Sequence, residues 1–320
     1  MKKYLLLIMT VAIIFFSCKK ENADKIVTDN PTLSKTLYPV VFNFSVLQTN
    51  GVKTNSLSTL ALKDQIKYLH YFVFSGPFEP INELKPFKQK TQKSTDQNFG
   101  NITDSLPAGQ YSIFFVGAQA LGNVSMERKI ATDLYGVPIF YYNNSSIYDT
   151  FNKRLDLIVS APVNQAVELT RITTKITIKL TDQMPANAAT IKVSFEDFPV
   201  GADLLLNIGN HRPHSDIDPY PTATFSFPVN DDDKGKTGFT LSTLVWPHFY
   251  PTISIDCIGL NGELIAHKEL SRAIPQLNAN TNYIFSGKLF SQSAFSITIN
   301  DEWNAPVNVP FSLPSAISTN

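Results

Sequence analysis

The sequence predicts an all-β protein, and three observations carry that expectation. Strand-forming residues dominate: the 320 residues include 23 Phe and 12 Tyr against 4 Met and 2 Trp, and aromatic and β-branched side chains suit a pleated, half-buried surface. From Leu37 onward, short apolar runs alternate with a period of two. Pro, Gly and Asn clusters separate these runs, and no long stretch carries a helical stripe. Many short strands divided by turn signals describe sandwiches or barrels.

The runs follow in chain order. Val40, Phe42, Phe44 and Val46 share one face. Leu69 to Ser75 is apolar on both faces, as in a strand buried on two sides. Tyr111, Ile113 and Phe115 alternate, then Leu155, Leu157 and Val159. The clearest case sets Ile172, Thr174, Ile176, Ile178 and Leu180 opposite Thr173, Lys175, Thr177 and Lys179. Ile191, Val193 and Phe195 come next, then Phe225 and Phe227, then Phe239, Leu241 and Val245. Ile253, Ile255 and Cys257, then Tyr283, Phe285 and Leu289, then Phe295, Ile297 and Ile299 complete the set. A short helix is expected near Met126–Leu134. Pro162 and Asn164 break the pattern near Ala161–Gln165, so the chain divides there into residues 36–163 and 164–320. Each half contains a Leu, a turn and a strand-opening Tyr: Leu106-Pro107-Ala108-Gly109-Gln110-Tyr111, and Leu277-Asn278-Ala279-Asn280-Thr281-Asn282-Tyr283. The shared phrase marks either two related halves or two ordinary turns.

The first residues address the compartment. Lys2 and Lys3 precede Tyr4–Phe16, apolar apart from Thr10. That run is shorter than the ~20 residues that span a bilayer and has the size of a signal-peptide core. It ends in Phe15-Phe16-Ser17-Cys18. A small residue and a Cys directly after such a core resemble a bacterial lipobox, in which cleavage precedes the Cys and its thiol carries lipid. Phe15 and Phe16 depart from the usual lipobox residues, and an ordinary signal peptide containing a Cys is the alternative. Residues 1–17 are thus expected to be removed and Cys18 lipidated. Residues 18–35, polar and interrupted by Pro31, form a flexible tether. Cys18-Lys19-Lys20-Glu21-Asn22 resembles the charged tag that sends Bacteroidetes lipoproteins to the outer surface.

Charge excludes one class of partner. Lys and Arg number 27, as do Asp and Glu, so no basic excess draws the chain to nucleic acid. Two Cys support neither a disulfide framework nor a Cys-rich zinc site.

Chemistry-bearing motifs are sparse. None of G-x-S-x-G, H-E-x-x-H, C-x-x-C or G-x-G-x-x-G occurs. Gly235-Lys236-Thr237 ends like a phosphate loop, but Asn230 stands where its first Gly belongs. His211 and His214 with Asp216 and Asp218 could supply metal ligands. They sit among Arg212, Pro213, Pro219 and Pro221, which read as a surface loop. Asp231-Asp232-Asp233 could crowd oxygens round a cation, yet lacks the distal Glu of a calcium loop and reads as a solvated tip. Cys257 alternates with Ile253 and Ile255, placing a thiol in a core rather than at a reaction centre. No cofactor, metal or catalytic residue is assigned.

Aromatic clusters are the best candidate binding surface. Tyr135, Phe140, Tyr141, Tyr142 and Tyr148 gather beside Asn143 and Asn144, and Trp246-Pro247-His248-Phe249-Tyr250 forms a second group. Tyr141, Tyr142, Tyr148, Trp246, Phe249 and Tyr250 are the rings singled out. Flat rings stack on sugars and also anchor protein interfaces. The plainer alternative is packing between loop and sheet.

Several elements occur together and in order. These are Cys18, Tyr68–Phe74, Leu106-Pro107-Ala108-Gly109-Gln110-Tyr111, Leu169-Thr170-Arg171-Ile172-Thr173-Thr174-Lys175-Ile176, Trp246-Pro247, Leu277–Tyr283 and Asn300-Asp301-Glu302-Trp303. Together they resemble Bacteroidetes fimbrillin-related lipoproteins and are most similar to the FimB-type fimbrial anchor subunits. The resemblance covers nearly all of the chain after Cys18. It implies two tandem transthyretin-like β-sandwich domains and assembly with pilin subunits by strand donation. An incomplete sandwich offers backbone donors and an apolar groove, and a donated strand fills both.

In the best-known systems of that family, stalk subunits are cut after an Arg to release an N-terminal strand. The first Arg here is Arg128, far inside the first half, which favours an uncleaved anchor. The tail Val307–Leu313 alternates Val307, Val309 and Phe311 but carries Pro306, Pro310 and Pro314, which suit a closing edge strand. The expected function is therefore a non-enzymatic surface lipoprotein. Lipid on Cys18 holds it in the outer membrane, several acyl chains giving firm anchoring where one is marginal, and it anchors or assembles a fimbrium. A glycan-binding surface lipoprotein and a tip adhesin toward a host protein or glycan are the alternatives.

Overall fold

The computed structural model describes residues 36–46, 61–76, 86–128, 136–142, 146–199, 201–210, 221–247, 251–270, 276–291 and 295–300. The elements run β1 (Leu37–Val46), α1 (Leu62–Gln65), β2 (Tyr68–Ser75), β3 (Lys88–Lys93), β4 (Asn101–Pro107), β5 (Gly109–Ala118), β6 (Asn123–Arg128) and β7 (Gly136–Tyr141). There follow β8 (Thr150–Val159), β9 (Val163–Arg171), β10 (Thr174–Leu180), β11 (Ala188–Phe195), β12 (Gly201–Asp203), β13 (Ile208–Asn210) and β14 (Ala223–Pro228). The last are β15 (Phe239–Val245), β16 (Ile253–Gly259), β17 (Leu264–Glu269), β18 (Asn282–Gly287) and β19 (Ser296–Asn300). The chain is all-β, as its alternation predicts.

Seven strands form one sheet in the order β3-β2-β5-β8-β9-β1-β4. The sheet turns a corner where β8 and β9 pair only at Phe151–Arg171 and Asn152–Thr170. Its two wings then face each other over a shared core. Phe42 on β1 meets Phe115 on β5 at 5.0 Å between ring centres and Tyr71 on β2 at 5.9 Å. Val40, Leu69, Val73, Ile102, Ile113 and Leu169 fill the space around them. Burying each large apolar side chain contributes about 1.5–3 kcal/mol.

The strands of the β2–β5 wing are apolar on both faces because both are covered. Leu69, Tyr71 and Val73 enter the first core. Phe72, Phe74, Phe114 and Val116 enter a second, larger one. That second core also receives Ile176, Ile178 and Leu180 from the sheet β15-β10-β18-β19, and Ile191, Val193 and Phe195 from the sheet β14-β11-β16-β17. Lys175 and Lys179 lie on the opposite face of β10, as the period of two requires. A fourth sheet, β13-β12-β7-β6, joins strands from the two parts of the chain, with Ala202 opposite Phe140.

The two phrases ending in Tyr fold alike. The Tyr111 hydroxyl donates back to the Pro107 carbonyl at 2.9 Å, and the Tyr283 hydroxyl donates to the Gln276 carbonyl at 2.8 Å. Each ties a strand's first turn to the corner before it, in the manner of a tyrosine corner.

Two expectations are corrected. The helix near Met126–Leu134 is absent through Arg128, because Asn123–Arg128 is strand β6, paired with β7 from Asn123–Tyr141 to Arg128–Gly136; tertiary pairing overrides local propensity. The division near Ala161–Gln165 is also displaced. Pro162 and Asn164 mark only the turn between β8 and β9, and β9 runs parallel to β1 from Val40–Val163 to Val46–Leu169. The first sheet therefore keeps the chain through Arg171, and the change of sheet falls at Ile172–Thr173, between β9 and β10.

Candidate functional site

The rings singled out as a surface divide, and the best placed are interior. Tyr142 is 7% exposed and Trp246 1% exposed. Their rings stack with centres 6.0 Å apart and planes 7° apart. Tyr148 meets the edge of Tyr142 at 5.0 Å and is partly buried against the same core. Phe140 meets Tyr142 at 5.3 Å, and His70 meets Phe140 at 5.5 Å. The result is a chain of rings leading from β2, through β7, to the end of β15. Two of the expected sugar platforms, Tyr142 and Trp246, thus serve packing, because large rings beside a sheet junction bury more surface than they could expose. Tyr141 is half-buried. Cys18, Tyr135, His211, His214, Asp216, Asp218, Phe249, Tyr250, Trp303 and Val307–Leu313 lie outside the described residues, as do residues 1–35.

Several polar groups at this seam are paired, while the buried His70 Nε2 has no partner among the described residues. The Tyr142 hydroxyl lies 2.5 Å from Thr150 Oγ1, and the Thr150 carbonyl accepts the Ile172 N–H at 2.8 Å. Burial raises the Tyr142 hydroxyl far above its usual pKa. His70 Nδ1 bonds Thr91 Oγ1 at 3.0 Å, and burial pulls its pKa down to about 4. One further network fastens β9 to the turn before β18. Arg171 Nε and Nη2 donate to the two oxygens of Asp149 at 2.7 and 2.9 Å. Thr173 Oγ1 donates to Asp149 Oδ1 at 3.0 Å. Arg171 Nη1 reaches Asn280 Oδ1 at 3.3 Å. Asn280 adopts a left-handed φ of 56°, which Asn tolerates better than most residues, and its N–H donates to the Thr173 carbonyl at 2.8 Å.

The remaining sequence candidates take structural places. Cys257 is buried in the second core, and burial pushes its thiol up to about 11. Asp231 pairs with Lys234 at 2.7 Å, and Asp233 accepts the Asn230 N–H at 3.0 Å; both belong to the turn after β14. Among the described residues, no three His, Cys, Asp or Glu side chains converge as metal ligands would.

What the described surface offers instead is strand edges. Among the described residues, the outermost strands of each sheet have one neighbour: β3 and β4, β15 and β19, β14 and β17, β13 and β6. Between β14 and β15 opens a groove of about 470 Å3. Phe227, Phe239 and Leu241 line it, with Asp233 and Lys236 at the turn that joins the two strands. An unpaired edge beside apolar side chains can take an extended segment. Sequence reasoning marked Phe227, Phe239 and Leu241 as strand residues but could not bring two edges together.

No known family profile matches the chain, and no curated protein matches it. Among solved structures it aligns with a DUF1812 protein from Bacteroides thetaiotaomicron, at 12% identity over 84% of this chain and 98% of that one, with a TM-score of 0.48. It aligns with the fimbrial anchor protein Mfa2 from Porphyromonas gingivalis at 12% identity, over 83% and 98%, with a TM-score of 0.42. It aligns also with the tip fimbrial protein Mfa3 of that species, truncated at its C-terminus, at 11% identity, over 82% and 99%, with a TM-score of 0.39.

Proposed function

We propose that the chain is a non-enzymatic surface lipoprotein that anchors or assembles a fimbrium, joined to pilin subunits by strand complementation. The observation that carries the reading is the groove between β14 and β15, where two strand edges meet over Phe227, Phe239 and Leu241. A segment laid there gains main-chain hydrogen bonds from an edge and pockets for alternate side chains. The lipobox-like Phe15-Phe16-Ser17-Cys18 supplies attachment to the outer membrane through lipid on Cys18. The ordered sequence phrases that resemble fimbrial anchor subunits supply the context. The glycan reading loses weight with the burial of Tyr142 and Trp246.

The test compares wild type with Cys18→Ala in the native cell, by membrane fractionation and shearing. The reading expects wild type on the membrane and fimbriae shed into the medium by the variant. Equal retention of fimbriae by both would overturn the anchor role.

A further inference from the structure

The two outermost strands of the seven-stranded sheet, β3 and β4, are joined by side chains in a regular register. Lys88 Nζ donates to the Ser105 carbonyl at 2.6 Å, Lys90 Nζ to the Thr103 carbonyl at 3.0 Å, and Gln92 Nε2 to the Asn101 carbonyl at 2.8 Å. Alternate residues of β3 thus meet alternate carbonyls of β4 in antiparallel order. Gln92 Oε1 also accepts the Gly100 N–H at 3.2 Å. Asp104 reinforces the register: its Oδ1 lies 3.0 Å from Lys88 Nζ and 3.1 Å from Lys90 Nζ, with the carboxylate 8% exposed.

These carbonyls are the ones β1 leaves free. The Phe44 N–H bonds the Gly100 carbonyl, so even-numbered carbonyls of β4 turn toward β1 and odd-numbered ones turn outward. Pro39 of β1 stands opposite Ser105, where the missing N–H is not needed because Ser105 faces away. An edge of this length, with outward carbonyls at Asn101, Thr103 and Ser105 and that of Pro107 taken by the Tyr111 hydroxyl, is a template for another strand. Here each carbonyl already holds a donor. Lys88 and Lys90 are 34% and 44% exposed, so their stems lie along the seam while their heads neutralise Asp104.

We propose that Lys88, Lys90 and Gln92 guard the β4 edge, occupying the acceptor positions that an extended segment of a second copy of this chain would take. The guard keeps self-association off this edge, and it stands independently of any anchor role. A second copy is the occupant to exclude because it presents the same two extended outermost strands, β3 and β4, with no further strand paired to them among the described residues.

The test is hydrogen exchange and light scattering on the full chain at low and high protein concentration. Wild type is expected to exchange the Asn101–Pro107 amides at the same rate at both concentrations. The Lys88→Ala/Lys90→Ala/Gln92→Ala variant is expected to associate on concentration, its outward Thr103 and Ser105 N–H groups slowing about tenfold as a new strand covers them. Should that variant fail to fold by circular dichroism, Lys88→Ala alone uncovers the Ser105 carbonyl while Lys90 still pairs with Asp104, and it is expected to slow exchange at Ser105 on concentration. Folded variants whose β4 exchange is independent of concentration overturn the proposal. So does wild type whose own β4 amides become protected on concentration.

Discussion

Tyr142 and Trp246 stack ring on ring, 6.0 Å apart and 7° from parallel. One follows strand β7 and the other follows β15, so the contact ties two sheets that are far apart in sequence. With both rings buried, their removal is a matter of stability. Trp246→Ala is expected to cost about 3–5 kcal/mol, and Tyr142→Phe about 1–2 kcal/mol through the lost Thr150 partner. Denaturant unfolding checks both. A Trp246→Ala chain that keeps its stability but loses a measured sugar affinity would return this ring to the surface.

The ion pair of Arg171 and Asp149 makes a different prediction. Breaking one side leaves a buried charge, so Arg171→Met is expected to cost about 3–5 kcal/mol. Arg171→Met with Asp149→Leu removes both charges and should cost less than Arg171→Met alone. Unfolding midpoints of the single and double variants decide the point. A double variant no more stable than the single would show that Thr173 and Asn280, not charge compensation, set the energy.

His70 predicts the acid behaviour. Its pKa falls from 6.5 to about 4 on folding, through burial. The unfolded chain therefore binds the proton more readily, and stability is complete above the unfolded pKa and declines as pH falls toward the folded one. Between pH 7 and pH 4.5 the loss from this residue is about 2–3 kcal/mol. His70→Phe should flatten that part of the stability–pH curve, while carboxylate titration remains. An unchanged curve would mean that the ring is protonated without leaving its place beside Phe72 and Phe140.

Cys257 should be silent in the folded protein. Burial and a thiol raised to about 11 leave almost no thiolate at neutral pH. In the Cys18→Ala chain, a disulfide reagent is expected to find no reactive thiol until denaturant is added. Reaction at the native rate of a free thiol would place Cys257 at the surface.

The strands were legible where one face is wet. Ile176, Ile178 and Leu180 against Lys175 and Lys179 reads directly as β10, because a half-buried strand must alternate. The double-sided run Leu69–Ser75 was legible too, since both its faces are covered. The helix expected at Met126–Leu134 is overturned through Arg128, its remainder lying outside the described residues, because β6 owes its form to pairing with β7, which no local pattern records. The division near Pro162 failed because a Pro at a sheet corner and a Pro in a linker look alike in sequence. The rings failed for a related reason: Tyr142 and Trp246 lie on opposite sides of a junction that exists only after folding. Lys88-Gln89-Lys90-Thr91-Gln92-Lys93 is polar throughout, so no apolar alternation marked β3 in the sequence, nor could it identify β4 across the gap.

The most direct measurement of the central claim is recovery of the chain from native cells with its neighbours held in place. After mild solubilisation, hydrogen exchange on the recovered complex should show a pilin subunit bound and the Phe239–Val245 amides protected relative to the free chain, as strand complementation at the β14–β15 groove requires. A chain recovered without a pilin, its β15 amides exchanging as in the free protein while it retains a saturable glycan, would contradict the fimbrial reading and leave a surface sugar-binding lipoprotein.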